Sequence, residues 1–146
     1  MSEQQAVRQV DPRGLRFAAG ITSVVLALTL VLNSPWPLAV QAVVFSVAFG
    51  VQASPYGWLF KRLVRPRLAP PKELEDAAPP RFAQLVGLVF AVVGLVGYLT
   101  GATVLGVVAT GFALVAAFVN AAVGLCLGCE AYLLIHRIRT PTTATN

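Results

Sequence analysis

The 146-residue chain is 57% hydrophobic and 12% charged, with eleven Lys and Arg against six Asp and Glu and a formal net charge of +5. Soluble domains run at roughly 45–50% apolar and about 25% charged, so an ordinary globule is excluded, and so greasy a chain is not a disordered one. The mean hydropathy of +0.75 agrees.

Every charge falls into one of three clusters, Glu3 to Arg16, Lys61 to Arg81 and Glu130 to Arg139. The charge-free stretches between them, Phe17 to Phe60 and Phe82 to Cys129, are each about twice the roughly 20 residues that one membrane span needs. Each is interrupted near its middle by polar and turn-forming residues, Asn33-Ser34-Pro35-Trp36-Pro37 and Tyr98-Leu99-Thr100-Gly101. Four spans are therefore expected, at about 16–33, 38–57, 82–100 and 103–128. Helices are required, because isolated strands leave backbone groups unpaired in hydrocarbon. The fold expected is an all-α integral membrane protein of four transmembrane helices, arranged as two tandem hairpins.

In chain order, residues 1–15 form an N-terminal tail carrying Arg8 and Arg13, with Arg16 at the helix start. A secretory signal peptide fits this region poorly, because the apolar run is long, lacks a small-x-small cleavage site and leads directly into a second span. Residues 16–60 make the first hairpin, and 61–81 a basic, proline-rich loop with Lys61, Arg62, Arg65, Arg67, Lys72 and Arg81. The carboxylates Glu73, Glu75 and Asp76 in this loop read as solvated. Residues 82–135 form the second hairpin, and 136–146 a tail with Arg137 and Arg139. Met1 to Val10 and Thr140 to Asn146 read as unstructured ends. The three basic segments alternate with two uncharged hairpin turns, so the positive-inside rule puts both termini in the cytoplasm, in a plasma membrane. The basic residues sit at span ends, where they meet lipid headgroups. They lack interleaved aromatics or a recognition module, so no nucleic-acid partner is expected.

The halves resemble one another. Arg16-Phe17-Ala18 opens the first helix and Arg81-Phe82-Ala83 the third. Trp58-Leu59-Phe60-Lys61-Arg62, then Pro66, ends one half, and Tyr132-Leu133-Leu134-Ile135-His136-Arg137, then Pro141, the other. Two units of two spans each enter from the same side, which makes them parallel repeats. Small residues mark the packing faces. Gly87, Gly94, Gly97 and Gly101 lie on the third span, and Asn120, Gly124 and Gly128 form a four-residue stripe on the fourth. These faces are expected to pack within the chain or against a second copy. Gln41, Ser46, Gln52, Thr110 and Asn120 should bond between helices. No Asp, Glu, Lys or Arg lies inside a span, which argues against charge-coupled transport.

Cys126-Leu127-Gly128-Cys129-Glu130 holds both cysteines. Along a continuous fourth helix, Cys126 would lie about 37 Å and Cys129 about 42 Å from the turn near Gly101, at the cytoplasmic interface. A reducing cytosol disfavours a permanent disulfide. A redox pair, a persulfide carrier, two metal ligands completed by a second copy or partner, or plain packing residues all remain open, and the catalytic role of Cys126 and Cys129 is unassigned. Late in a helix and beside Glu130, neither thiol is helped to ionise. Cβ atoms three apart in a helix stand about 5–6 Å apart, too far for a disulfide unless the helix breaks, as at Gly128. The single histidine, His136, reads as a headgroup contact.

Asp11-Pro12-Arg13, Ser54-Pro55-Tyr56-Gly57, Lys61-Arg62-Leu63-Val64-Arg65-Pro66, Pro80-Arg81-Phe82-Ala83-Gln84 and Cys126-Leu127-Gly128-Cys129-Glu130 with Tyr132 together resemble a bacterial, actinobacterial-type multi-pass membrane family, domain of unknown function 4395. The likeness covers about residues 11–139. It implies a small multi-pass protein, some of whose relatives are encoded near thioredoxin-like or sulfurtransferase proteins, and no established activity or cofactor. The role expected is a non-enzymatic accessory or scaffold whose CxxC engages thiol or sulfur chemistry in such a cytosolic partner. The alternatives are a membrane thiol-disulfide oxidoreductase using Cys126 and Cys129, or a purely structural bundle, either of which could self-associate.

Overall fold

The computed structural model describes residues 9–51, 55–70 and 74–139. Helices α1 (Pro12–Leu32), α2 (Pro35–Val51), α4 (Ala78–Leu99) and α5 (Thr103–Val123) form the body. Between α2 and α4, α3 (Pro55–Leu59) runs on into a π turn (Phe60–Val64) and a 3-10 turn (Arg65–Arg67), and α6 (Leu127–Arg139) follows α5. Three helices, α1, α4 and α5, are each long and apolar enough to cross a membrane. A fourth candidate combines α2 with the segment Pro55–Arg67, inclined at 83° to it. The second expected span is thus not straight. Pro55 lacks an N–H and starts a new helix rather than continuing the old one.

Local chemistry explains the helix ends. Asp11 caps α1, its carboxylate accepting the Arg13 N–H at 2.9 Å, with Pro12 at the first position. Asn33 closes the same helix in the left-handed conformation (φ 48°), and the Ser34 N–H reaches back to the Thr29 carbonyl. Asp76 accepts the Ala78 N–H at the start of α4. Its neighbourhood is less loose than expected, since Gln9–Val10 (β1) pairs antiparallel with Glu75–Asp76 (β2). The unstructured reading of the N-terminal end therefore stops short of Gln9, and the rest of both expected tails, 1–8 and 140–146, lies outside the described residues. This two-residue clasp does not alter the all-α class.

Burial is inverted relative to a soluble protein. Thr22, Thr29, Gln41 and Thr110 are buried, while Val31 (79%) and Val104 (78%) stand exposed with many other aliphatic side chains. That distribution suits a lipid solvent, where apolar groups have no reason to hide and polar ones do. The two halves interlock rather than stand side by side: α1 packs on α5 and α2 on α4, with α4 also against α5. The glycines of α4 make this possible, as expected for packing within the chain. A Cβ on Gly87 would meet the Phe45 ring at 2.8 Å, one on Gly94 would meet Leu38 at 2.9 Å, and one on Gly97 would collide with the backbone of Gly106. Gly101 is not part of this face, because it turns the chain toward α5 with φ 88°.

Candidate functional site

The fourth span ends earlier than expected. Gly124 adopts the left-handed conformation (φ 77°), its N–H bonded to the Asn120 carbonyl at 2.9 Å, and α5 stops there. Helix ends leave carbonyls without partners. Here the Arg16 guanidinium, at the start of α1, donates to the carbonyls of both Ala121 and Ala122 at 3.0 Å. The stripe of Asn120, Gly124 and Gly128 is therefore not one helix face. Gly124 is a cap, and Gly128 lies in α6, where an added Cβ would strike Ala83 of α4 at 2.6 Å.

The break places the cysteines at a helix start. The Glu130 N–H closes the first turn of α6 onto the Cys126 carbonyl at 3.0 Å, and the Cys126 sulfur accepts the Cys129 N–H at 3.1 Å. Cys126 occupies the capping position in the manner of a serine or aspartate, and Cys129 the third helical position. The two are joined as a disulfide, with Cα atoms 5.1 Å apart. The expectation of a pair late in a continuous helix is overturned, and with it the argument that the helix opposes ionisation. A sulfur at a helix N-terminus meets unpaired N–H groups and the positive end of the dipole, and both favour its thiolate once the bond is opened. Glu130 remains the opposing charge, but it is exposed to solvent.

A family profile described as Domain of unknown function (DUF4395) matches residues 10–137. The chain belongs to that family. No curated protein and no solved structure matches it.

In this DUF4395 chain, matched contacts hold the two halves. Arg81 does for α2 what Arg16 does for α5: its Nε donates to the Phe49 carbonyl at 3.0 Å and its guanidinium lies 4.6 Å from the centre of the Phe49 ring. Phe17 meets Phe60 and Phe82 meets Tyr132, both at 5.7 Å between ring centres and tilted by 53° and 52°. His136 stacks on Tyr132 at 5.9 Å. At the same end, Arg13 binds Asp11 at 2.9 Å, and this bond holds the Asp11 carboxyl below its usual range.

Two cavities flank the disulfide. One, of about 470 Å³, runs between the halves from the charged end toward Thr22, Gln41, Phe90 and Phe112. The other, of about 360 Å³, is lined by Arg16, Asn120, Glu130 and Leu133. Leu15, Pro80, Asn120, Cys126 and Cys129 line both. The polar centre of the larger cavity is Gln41, whose amide donates to the Thr22 hydroxyl at 3.3 Å and accepts from the Tyr56 hydroxyl at 2.9 Å. The interhelical role expected for Gln41 is realised. Ser46 instead bonds within its own helix to the Ala42 carbonyl, and Gln52 lies outside the described residues. Thr110 is buried with no hydrogen-bond partner among the described residues. The clamp role of Arg16 and Arg81 was not legible, although the repeated Arg-Phe-Ala triplet was its signal.

Proposed function

We propose that the chain is a membrane-embedded thiol-disulfide exchange protein in which Cys126 exchanges with a partner thiol and Cys129 is the leaving group. The observation that carries this reading is the disulfide across the first turn of α6, with the Cys126 sulfur on the Cys129 N–H. A partner thiolate attacks Cys126, and the Cys126–Cys129 bond breaks. Cys129 leaves with the electron pair and takes a proton. A second partner thiolate then attacks the mixed disulfide and releases Cys126, whose negative charge falls at the helix N-terminus. The partner gains a disulfide, and the pair holds two electrons.

The segregation of Lys and Arg supports an orientation with both termini and the disulfide facing the cytoplasm. In that reducing compartment the bond is a turnover state rather than a staple, and a thioredoxin-like or sulfurtransferase protein fits as the partner. The matched arginine clamps and ring pairs support descent of the halves from one duplicated hairpin. Thiol trapping in native membranes tests the function: both cysteines should become alkylated after reduction and protected after oxidation. A Cys129→Ser variant, which lacks the bond to be attacked, should no longer oxidise the partner, whereas a partner left with only one of its two thiols should be trapped as a mixed disulfide on Cys126 of the unaltered chain. Cysteines that resist alkylation under every redox condition would leave a purely structural bundle. A reporter fused after Arg139 that is active only outside the cytoplasm would reverse the orientation.

A further inference from the structure

We infer that the larger cavity binds the ring of a membrane-soluble quinone, which takes electrons from the reduced Cys126–Cys129 pair; this rests on the exchange function proposed above. A dithiol pair that turns over must pass on two electrons and two protons. Formation of the Cys126–Cys129 bond releases both, and conversion of the two quinone carbonyls to hydroxyls consumes both. No other reactant is needed.

Three observations select this acceptor. First, the disulfide forms a wall common to both cavities, so a protein thiol can reach it from the cleft that holds Arg16 and Glu130 while an acceptor occupies the other side. Second, the larger cavity has the size of a small-molecule site, and such sites run from about 300 to 1,000 Å³. Among the described residues its charged lining groups are Asp11, Lys61, Arg65 and Arg81, all at the interfacial ends of their segments. Beyond them the walls are uncharged and carry Phe45, Phe90 and Phe112. Phe90 lies about 18 Å along α4 from its start, so the cavity reaches well into the apolar layer. A phosphorylated carrier placed there would lose its hydration without compensation, whereas a flat, uncharged ring with an isoprenoid tail would not. Third, the polar groups at the inner end of the cavity are already buried and bonded to one another, Gln41 to Thr22 and to Tyr56, so the surface left to an occupant there is apolar, as an uncharged ring requires.

The test uses the full chain in lipid nanodiscs, reduced and freed of reductant, then given a decyl-substituted benzoquinone. One equivalent of quinone should be reduced as the Cys126–Cys129 disulfide forms. Ala116→Phe and Ala116→Trp, which fill the cavity from α5, should each slow quinone reduction at least tenfold. Exchange of the disulfide with dithiothreitol should continue at the wild-type rate in both variants, and a cooperative thermal unfolding transition in each shows that they are folded. The quinone assignment is overturned if dithiothreitol exchange proceeds but quinone does not oxidise the pair, if both variants reduce quinone at the wild-type rate, or if mass spectrometry finds a stable ring adduct on cysteine in place of the disulfide. Failure of dithiothreitol exchange in the wild type would instead remove the underlying function.

Discussion

Replacing Gly124 by alanine isolates the backbone feature on which the proposed redox site depends. The added Cβ would find only the aliphatic part of Arg16, at 3.6 Å, an ordinary contact. Steric crowding is therefore not the cost. The φ of 77° is, because a non-glycine residue in the left-handed region costs about 1–2 kcal/mol, or roughly a 5- to 30-fold shift in a two-state population. The arrangement gained at the expense of the break is a longer α5, in which Cys126 is no longer a cap and loses the Cys129 N–H. Thermal unfolding in detergent should register the destabilisation, and iodoacetamide should modify reduced Cys126 several-fold more slowly. Gly111→Ala is the control, since Gly111 lies within α5 with nothing within 4 Å of an added Cβ. There the gain in helix propensity should stabilise by about 0.5–1 kcal/mol. If Gly124→Ala proves as benign as Gly111→Ala, with unchanged alkylation, the left-handed cap does not hold the cysteines at a helix start and the reasoning fails.

Gly97→Ala should be much worse than either, because its Cβ would collide with the backbone of Gly106 and backbones move only by repacking; a loss of about 1–3 kcal/mol is expected, measured by the same unfolding assay. Arg16→Met and Arg81→Met should each lower stability by about 1–3 kcal/mol through lost charge-assisted bonds, but only Arg16→Met should alter the alkylation rate of Cys126, since Arg16 holds the turn of α5 before it. Equal effects of the two on the thiols would contradict that division. The Asp11 carboxyl titrates below its usual value through its bonds to Arg13, so its contribution is complete above the unfolded value near 3.8 and disappears as pH falls through the lower folded one. Asp11→Asn should remove that component from an acid unfolding series.

The charge pattern and turn residues were enough to place the three straight apolar helices, though not all of their ends. Asn33-Ser34-Pro35 read directly as a stop, because its effects are local: a left-handed Asn and a proline that cannot continue a ladder. Asp11-Pro12 acts as locally, a carboxylate reaching its own helix, yet the first helix was expected only from Arg16 and begins at Pro12. The packing of Gly87, Gly94 and Gly97 was legible for a similar reason, since close approach in lipid calls for small residues. The end of α5 was different. A glycine in an apolar run fits a packing stripe as well as it fits a cap, and Asn120, Gly124 and Gly128 had the spacing of a stripe. What decides between them is the partner for the carbonyls that a break exposes, and that partner, Arg16, lies more than a hundred residues away in the chain. The second span failed for a related reason, because the change of direction between α2 and Pro55–Arg67 leaves hydropathy unaltered.

The same long-range bond joins stability to chemistry. A helix that ends near the membrane interface must satisfy its last carbonyls or pay for them in desolvation, and Arg16 makes the end of α5 tolerable where hydrocarbon alone would not. Once α5 can end, α6 can begin, and a new helix start supplies unpaired N–H groups at the one place where both cysteines lie. In the other half Arg81 serves the end of α2 in the same way, and Phe60 meets Phe17 as Tyr132 meets Phe82. Yet the segment that follows opens with Ser54-Pro55-Tyr56-Gly57 and carries no thiol. Its Tyr56 instead donates to Gln41 inside the cavity. The two helix breaks thus serve different ends, one holding the sulfur atoms at the edge of the cavity and the other furnishing the hydrogen bonds of its interior.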